Sequence, residues 1–353
     1  MYFKKKKPSI GIYYSICKSF LIILGIFHII QSYLTYFSVK YTTIQNKTYK
    51  SIVLSKTTNI SSIQTCCTIC MNVNSIPFNK VNTLKSVGRL KINDDFNHAI
   101  NFINDTFYPQ ILGGGWMFRE NTTNCSQLPQ SGVAIIFVCR GRWKQLNNTL
   151  STLIPLLQTQ HLCYRIFVID QEGDGLLNKA TLFNVGFVEA RKRFDFNCVI
   201  FHDADLIPLD DRIPHSCDDE VRKHAMHLSV GVSTWNYMLP YRSLIGGVLK
   251  ISTDHFILAN GYSNSYWGWG GEDDDLEIRL RASNIHYVHI NSSIGRYLAQ
   301  PHAKQIRSNG KLRQKLLKNA KKLFHHDGLN SLKYKIRLYS ENLYFTYFLI
   351  SLK

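Results

Sequence analysis

Apolar and polar positions change period along the chain in a regular order. Residues 133–139 form a continuous apolar run, typical of a buried strand, and leucines then recur at helical spacing from Leu146 to Leu157. The alternation continues with a predicted strand at residues 164–169, a helix at 179–193 and a strand at 198–202. This order predicts an α/β domain with a mostly parallel central sheet and a nucleotide-type site beyond the carboxyl ends of its strands.

Weaker patterns extend the domain toward the C-terminus. Further strands are predicted at residues 227–233, 245–252 and 286–290. A helix is predicted with one apolar face from Leu312 to Leu323, with Ser308 and Asn309 as candidate caps and lysines on the opposite face. A solvated helix face explains most of those lysines, and a surface for an anionic membrane or glycan is the alternative.

The N-terminal residues predict a membrane anchor. Four lysines, Lys4 to Lys7, precede an apolar stretch at residues 10–39 that is long enough to span a bilayer. The positive-inside tendency then leaves residues 1–9 in the cytoplasm and the rest of the chain in a lumen. A cleaved signal peptide is the alternative, but the apolar run is longer than a usual h-region and no small-x-small site follows it.

The composition of the remaining residues predicts the domain boundaries and the cellular compartment. Residues 40–112 are rich in Asn, Ser and Thr and are predicted to be a stem and lead-in region, followed by the main domain at 113–340 and a C-terminal tail at 341–353. The net charge of +18 is concentrated in local clusters, and a lumenal body excludes nucleic acid as a partner. Sequons for N-glycosylation fit that compartment and occur at Asn46, Asn59, Asn104, Asn121, Asn124, Asn147 and Asn291.

Nine cysteines also fit an oxidising compartment. A zinc site at Cys67 and Cys70 lacks a second ligand pair at suitable spacing, so disulfides are favoured. Cys139 and Cys163 lie in apolar, strand-like runs and are expected to be buried free thiols.

One stretch of the chain, Tyr266 to Asp275, combines two tryptophans, three glycines and four consecutive acids. Indole rings offer flat apolar faces to a sugar, and carboxylates can accept hydrogen bonds from its hydroxyls or remove a proton. Glycines allow a sharp turn and a close backbone approach. This chemistry favours a carbohydrate site, and the alternative is a glycine-rich loop whose acids lie at a helix start.

A second candidate site lies at the end of the third predicted strand. Asp203 and Asp205 could hold a divalent cation against a nucleotide diphosphate, although acids at a strand end are also common in turns. His302 downstream would add an imidazole, and a mixed oxygen and nitrogen set suits Mn²⁺ better than Mg²⁺. Arg140 and Arg142 follow the first strand and could reach a uridine or a phosphate, or be ordinary surface charges.

Together these residues resemble the β-1,4-galactosyltransferase family of Golgi type II membrane enzymes, which have a GT-A-like nucleotide-sugar transferase domain. The resemblance covers roughly residues 113–334 and is carried by four motifs. These are Trp267-Gly268-Trp269-Gly270-Gly271-Glu272-Asp273-Asp274-Asp275, Phe201-His202-Asp203-Ala204-Asp205-Leu206-Ile207-Pro208, Asn184-Val185-Gly186-Phe187 and Asp327-Gly328-Leu329-Asn330-Ser331-Leu332.

The resemblance implies a role for each matching position. The metal would be held by Asp205 and His302. Asp273 would be the general base, kept ionised by its place at a helix start, with Glu272 and Asp274 beside it. The donor sugar nucleotide would contact Arg140, Arg142, Lys179, Asp203, Ala204, Leu244 and Trp269. The acceptor would contact Tyr241, Trp269, Asp274, Arg313 and Leu317. Disulfides would join Cys198 to Cys217, and Cys125 to one of Cys66, Cys67 or Cys70.

The sequence departs from the family pattern in four places. A proline before Arg140 is replaced by Val138, and Ala204 replaces a valine. The methionine that would be the third metal ligand is Ala299, so Gln300 or a water would have to substitute. A tyrosine beside the C2 position of the donor sugar is Leu244, as in members that resemble N-acetylgalactosaminyltransferases.

The resemblance therefore implies an inverting, metal-dependent transferase that moves GalNAc or Gal from the UDP-sugar to the 4-hydroxyl of a terminal GlcNAc. Mn²⁺ is the expected cofactor, with Mg²⁺ as the second choice. A catalytically weak or inactive glycan-binding homologue is the alternative, and homodimerisation stays open.

Overall fold

The computed structural model describes residues 114–116, 132–160, 162–303 and 306–352. The predicted cytoplasmic tail, membrane anchor and stem lie outside those residues, and so do Cys66, Cys67, Cys70 and Cys125. Within the described ranges no helix is long and apolar enough to cross a bilayer.

Helices and strands alternate through the first half of the described chain. The helices are α1 Trp143–Thr159, α2 Lys179–Arg191, α3 Asp219–Lys223, α4 Thr253–Leu258, α5 Glu272–Ala282 and α6 Gly310–Leu323. The strands are β1 Gly115–Trp116, β2 Val133–Val138, β3 Tyr164–Gln171, β4 Cys198–Asp203, β5 Leu206–Pro208, β6 His224–His227, β7 Gly231–Val232, β8 Val248–Ser252, β9 His286–His289, β10 Arg296–Ala299, β11 Tyr334–Glu341 and β12 Thr346–Leu352.

The main sheet is mixed, whereas the sequence predicted a mostly parallel one. Its strand order is β11-β12-β3-β2-β4-β8-β6-β9. The four strands β12, β3, β2 and β4 run parallel, but β8 is antiparallel to both β4 and β6. The reason lies in the chain path: the Cys198–Cys217 bridge holds the chain at the start of β4, and β6 then crosses the sheet in the same direction as β4. β8 therefore begins at the edge where β4 ends and runs back between them, with Val248 opposite His202.

Two predicted segments differ in the structure. The strand expected at residues 227–233 is split between β6 in the main sheet and β7 in a second sheet of order β5-β10-β7. Residues 341–353 were expected to form a tail, but β12 lies inside the main sheet between β3 and β11. Its alternate residues Phe348 and Ile350 are fully buried in the core, which explains why it pairs there.

Helices cover both faces of the parallel strands. α2 packs closely on one face, since a Cβ atom on Gly186 would lie 2.5 Å from Ile136 Cγ2. α1 covers the other face with Leu146, Leu150 and Leu153 buried. The predicted bridge between Cys198 and Cys217 is present and ties the start of β4 to the segment after β5. Cys139 is a buried free thiol, as predicted.

Candidate active site

Lys179 gathers three carboxylates at the edge where β4 ends. Its Nζ atom lies 3.2 Å from Asp203 Oδ1, 3.2 Å from Glu272 Oε1 and 3.6 Å from Asp273 Oδ2. Lys179 is the first residue of α2, whose N-cap Asn178 accepts a hydrogen bond from the Thr181 amide. The N-termini of helices α2 and α5 therefore lie close to the carboxyl end of β4, as the order of strands and helices predicts.

The acid that the resemblance makes the general base has a shifted pKa. Burial raises the pKa of Asp273 to about 7, although Lys179 favours the ionised form. The neighbouring carboxylate of Glu272 raises it further. Placement at a helix start was expected to keep Asp273 ionised; burial and the neighbouring carboxylates act in the opposite direction and raise its pKa.

Three glycines shape the loop that carries the tryptophans. Gly268, Gly270 and Gly271 have φ angles of 82°, 107° and 98°, which L side chains rarely adopt. Gly271 is also the residue before α5, and a Cβ atom on it would lie 2.7 Å from Arg313 Cγ. The glycines are therefore required for the turn and for the close approach of α6.

Trp269 is presented to solvent at the tip of this loop. Its side chain is 53% exposed although its amide donates to Ile306 O at 2.9 Å. The Arg307 guanidinium lies 5.5 Å from the indole centroid. An exposed indole on an anchored backbone is available to pack against a sugar ring.

The residues expected to contact the acceptor are only partly brought together. Tyr241 donates a hydrogen bond to Asp274 Oδ1 at 2.9 Å, beside the carboxylate cluster. Arg313 packs against the glycine loop, and Leu317 lies one turn further along α6, half-buried. Leu244 is buried, and its amide donates to Tyr241 O at 3.1 Å.

Asp205 and His302 converge, as predicted. His302 Nε2 lies 2.7 Å from Asp205 Oδ2, and Arg142 Nη1 lies 3.3 Å from Asp205 Oδ1. Strand β10 brings them together because Ala299 pairs with Leu206, so the chain beyond Ala299 runs past Asp205. Burial raises the pKa of Asp205, and the Asp203 charge adds to this effect.

The other two predicted donor residues have local partners. Arg140 donates to Gly173 O at 3.3 Å, on the loop after β3. The carbonyl oxygen of Ala204 accepts a hydrogen bond from Thr149 at 2.9 Å, and its side chain is buried. The hydrogen bond from Thr149 of α1 to Ala204 therefore holds the turn between Asp203 and Asp205.

Comparison with known proteins agrees with this geometry. A family model described as the N-terminal region of glycosyl transferase group 7 matches residues 79–218, and one described as the N-terminal domain of galactosyltransferase matches residues 226–303. β-1,4-Galactosyltransferase 4 of Cricetulus griseus is 36% identical over 239 residues, which are 67% of this chain and 67% of that protein. The chain belongs to the β-1,4-galactosyltransferase family. The family is one of hexosyltransferases.

Other members of the family match over a smaller share of their length. β-1,4-Galactosyltransferase 1 of Mus musculus is 38% identical over 244 residues, covering 69% of this chain and 59% of the mouse protein. The catalytic domain of Drosophila β-1,4-galactosyltransferase 7, solved as a complex with xylobiose, superposes with a TM-score of 0.55 at 24% identity. That match covers 63% of this chain and 94% of the Drosophila domain. It supports the fold.

The donor atoms at Asp205 and His302 fit the divalent cation expected for the family. A carboxylate oxygen and an imidazole nitrogen meet at one partly exposed point, with Asp203 nearby, and such a set suits Mn²⁺. Among the residues that the structure describes, no group of three or more His, Cys, Asp or Glu side chains is arranged to hold a metal. The described residues bring two such side chains, Asp205 and His302, together at this point.

Gln300, one of the two substitutes expected for the family's methionine ligand, is engaged in hydrogen bonds to α1. Its Oε1 atom accepts from Asn148 at 2.8 Å, and its Nε2 atom donates to Gln145 O at 2.9 Å and to Thr149 Oγ1 at 3.0 Å. The side chain is 6% exposed and holds β10 against α1.

Two of the family motifs are structural. Asn184 donates to Tyr262 O at 2.7 Å and accepts from the Tyr262 amide at 2.9 Å, which fixes the loop before the tryptophans. Asp327 accepts from the Asn264 amide at 2.9 Å and lies 3.6 Å from the buried Arg279 of α5. Sequence reasoning missed Arg279, although its spacing from Asp275 is that of a helical ion pair.

Proposed function

We propose that the chain is an inverting, metal-dependent β-1,4-glycosyltransferase that moves GalNAc or Gal from the UDP-sugar to the 4-hydroxyl of a terminal GlcNAc. The observation that carries this proposal is the placement of Asp273. It lies 3.6 Å from Lys179, which also pairs with Asp203 at the end of β4, next to the metal-type pair. A base and a nucleotide-type site thus share one edge of the sheet.

Asp273 is the base in this proposal. A carboxylate whose pKa is about 7 removes a proton from an attacking hydroxyl near neutral pH more effectively than an ordinary aspartate. Lys179 holds the three carboxylates in place, and Tyr241 orients Asp274 on the acceptor side. The acceptor hydroxyl attacks the anomeric carbon, its proton goes to Asp273, and the bond from that carbon to UDP breaks, which inverts the configuration.

The donor side would use Asp205 and His302 to hold Mn²⁺, with Mg²⁺ as the weaker choice. When bound, the cation supplies positive charge that offsets the negative charge of the departing diphosphate. Arg142, which contacts Asp205, lies where it can balance the same charge. Trp269 would pack against the sugars, because its indole is exposed at the tip of the loop.

Leu244 supports GalNAc as a donor at least as good as Gal. Leucine has no hydroxyl to occupy the space beside the C2 position, so that an N-acetyl group can fit. The proposed setting is the Golgi membrane, with a single N-terminal anchor and a lumenal catalytic domain. Protease protection of the body in sealed microsomes tests that topology, and cleavage of the body in intact vesicles would refute it.

The decisive experiment is a transfer assay of the full-length chain on a glycan array, with UDP-GalNAc and UDP-Gal compared side by side at saturating Mn²⁺ and after chelation. We expect metal-dependent transfer to GlcNAc-terminated glycans, with UDP-GalNAc used at least as well as UDP-Gal. Asp273→Asn abolishes transfer but leaves UDP binding intact. Undiminished transfer by that variant would refute the role of Asp273.

An inactive glycan-binding homologue is the second candidate, favoured by the methionine missing at Ala299 and by the hydrogen bonds that Gln300 makes to Asn148 and Gln145. It would bind glycans without turning over either donor. Binding of GlcNAc-terminated glycans together with no donor hydrolysis or transfer at any Mn²⁺ concentration would establish it in place of the enzyme.

A further inference from the structure

Two histidine rings join strands β6 and β9 behind the active site. His227 lies opposite His289, and their Nδ1 atoms are 2.9 Å apart. The other nitrogens contact backbone carbonyls: His227 Nε2 lies 2.8 Å from Gly246 O, and His289 Nε2 lies 2.8 Å from Arg242 O. Both contacts lead to the segment that joins Tyr241 to β8.

Counting protons along this chain of contacts shows that a neutral pair does not satisfy it. His227 Nε2 also lies 3.2 Å from Ser229 Oγ, but the nearer Gly246 O at 2.8 Å only accepts, so Nε2 donates to it while the Ser229 hydroxyl donates to the same carbonyl. His289 Nε2 must likewise donate to Arg242 O. Two neutral rings that donate from Nε2 would leave two bare Nδ1 lone pairs facing each other at 2.9 Å. One additional proton between the rings removes this repulsion and completes all three hydrogen bonds.

The surroundings place the additional proton on His289. His227 is fully buried, and burial lowers its pKa to about 3, with the neighbouring His289 adding to the shift. His289 is half-buried. His227 is therefore the neutral ring, which donates from Nε2 and accepts at Nδ1.

Other titratable groups lie close to the pair and bear on its charge. On the same face, the Tyr287 ring lies 5.7 Å from His289 and its hydroxyl donates to Glu277 at 3.1 Å, while Asp273 lies across Gly246. Lys250, His224 and His286 are on the paired strands with their side chains on the opposite face, by strand alternation. Arg242 contributes its carbonyl, and its side chain is on an exposed residue.

The segment between the two carbonyls carries parts of the proposed site. Leu244 lies between Arg242 and Gly246, and Gly246 is in direct contact with Asp273. Ser229 also holds the backbone at Gly246, since its hydroxyl donates to Gly246 O at 3.1 Å and accepts from the Val248 amide at 2.8 Å. A displacement of this segment would alter both the donor pocket and the space around the base.

We propose that His227 and His289 form a singly protonated pair that positions residues 242–246 against Asp273, an inference that rests on the proposed transferase function. They are positioning residues, because neither touches the reacting atoms. Loss of the shared proton breaks one of three hydrogen bonds and loosens the segment. The positioning is therefore present at low pH and is lost as the pH rises through the titration of the pair.

The test is hydrogen exchange of the full-length chain, followed by mass spectrometry over about three pH units around the ordinary imidazole pKa of about 6.5. The reporters are the amides of Leu244 and Val248, corrected for intrinsic exchange. In the wild type their protection falls about tenfold as the pH rises, because one buried hydrogen bond is lost. His289→Arg, a permanently protonated donor, keeps protection at every pH. His289→Phe lacks it at every pH.

His286→Phe is the matched control, since His286 is on the same strand but its side chain is on the opposite face, and it should follow the wild type. Protection that does not change with pH in the wild type, or that falls with the same midpoint in His289→Arg, would overturn the proposal. Transfer assays add an independent readout: the decline of kcat at high pH in the wild type should be absent in His289→Arg. If the wild type transfers no sugar at all, the proposed function fails, while the exchange data still decide the state of the pair.

Discussion

Gly246 and Asp273 touch so closely that no side chain fits between them. A Cβ atom built on Gly246 would lie 2.3 Å from Asp273 Oδ2, well inside any real carbon–oxygen contact. The backbone of Gly246 is also held from behind by His227 and Ser229. Two contacts therefore fix the position of the carboxylate proposed as the base. One is the ion pair with Lys179, and the other is the contact with Gly246, whose backbone is held by hydrogen bonds.

Gly246→Ala should displace the Asp273 carboxylate and lower kcat by at least about tenfold, because a shift of roughly 1 Å at a reacting group has a large effect on rate. The measurement is the rate of sugar transfer together with the thermal unfolding midpoint. Gly175→Ala is the control, since nothing lies within 4 Å of a Cβ atom there. Equal rates for the two variants would show that the contact does not constrain the base.

Lys179→Met should destabilise the fold more at pH 8 than at pH 5. It removes the cation between Asp203, Glu272 and Asp273, and the three carboxylates repel one another more as they ionise. The loss in free energy of unfolding should reach about 3 kcal/mol at pH 8, measured by denaturant titration. Lys223→Met, which breaks the exposed pair with Glu220, should leave the free energy of unfolding nearly unchanged at either pH.

The raised pKa of Asp273 predicts a specific pH dependence of stability. Below the unfolded-state value of 3.8 the carboxyl is protonated in both states and contributes no difference. As the pH rises from there to about 7, the unfolded chain releases the proton first, so the folded state loses up to about 1.4 kcal/mol per pH unit. Above about 7 the loss levels off.

Unfolding of the wild type and of Asp273→Asn, both without metal, measures this effect. The wild type should lose stability relative to the variant across that window and then remain parallel to it. A difference between the two that is constant with pH would mean that Asp273 is an ordinary aspartate. In His289→Arg, where the loss of positioning at high pH is removed, the same titration of Asp273 predicts that transfer rises as the pH passes through about 7.

The elements that could be predicted from the sequence are those with local signals. The buried run of β2, the leucine spacing of α1 and the Asn309 cap of α6 are all present in the structure. β12 could not be predicted, because its pairing with β3 depends on residues about 180 positions earlier in the chain. The antiparallel β8 depends on the path of the preceding loop in the same way.

In the candidate site too, residues with a local motif could be predicted, whereas features that depend on the tertiary structure could not. Asp205 and His302 were predicted from motifs and meet as expected. The role of Lys179 between three carboxylates could not be seen, since its partners come from two segments distant in the chain, Asp203 of β4 and the adjacent Glu272 and Asp273 of α5. A pKa depends on burial, which a motif does not report, so the shift at Asp273 was missed.

Ala299→Met should lower the Mn²⁺ concentration needed for half-maximal transfer. The thioether would restore a ligand three residues before His302, where the methyl side chain of Ala299 supplies none. Metal titration of activity measures the change. Ala299→Leu adds similar bulk without a ligand atom, so an equal change in both variants would attribute the effect to packing.

Leu244→Tyr should shift donor preference from UDP-GalNAc toward UDP-Gal. Leu244 is buried two residues before Gly246, which approaches Asp273, so a larger ring with a hydroxyl would fill space that an N-acetyl group needs. The ratio of kcat/KM for UDP-Gal to that for UDP-GalNAc should rise by at least about tenfold, since differences of this size follow from small changes in a sugar-sized pocket. Leu244→Phe separates bulk from hydrogen bonding: it should reduce use of UDP-GalNAc without the gain for UDP-Gal. A wild type that already prefers UDP-Gal, together with an unchanged ratio in Leu244→Tyr, would remove Leu244 from donor selection.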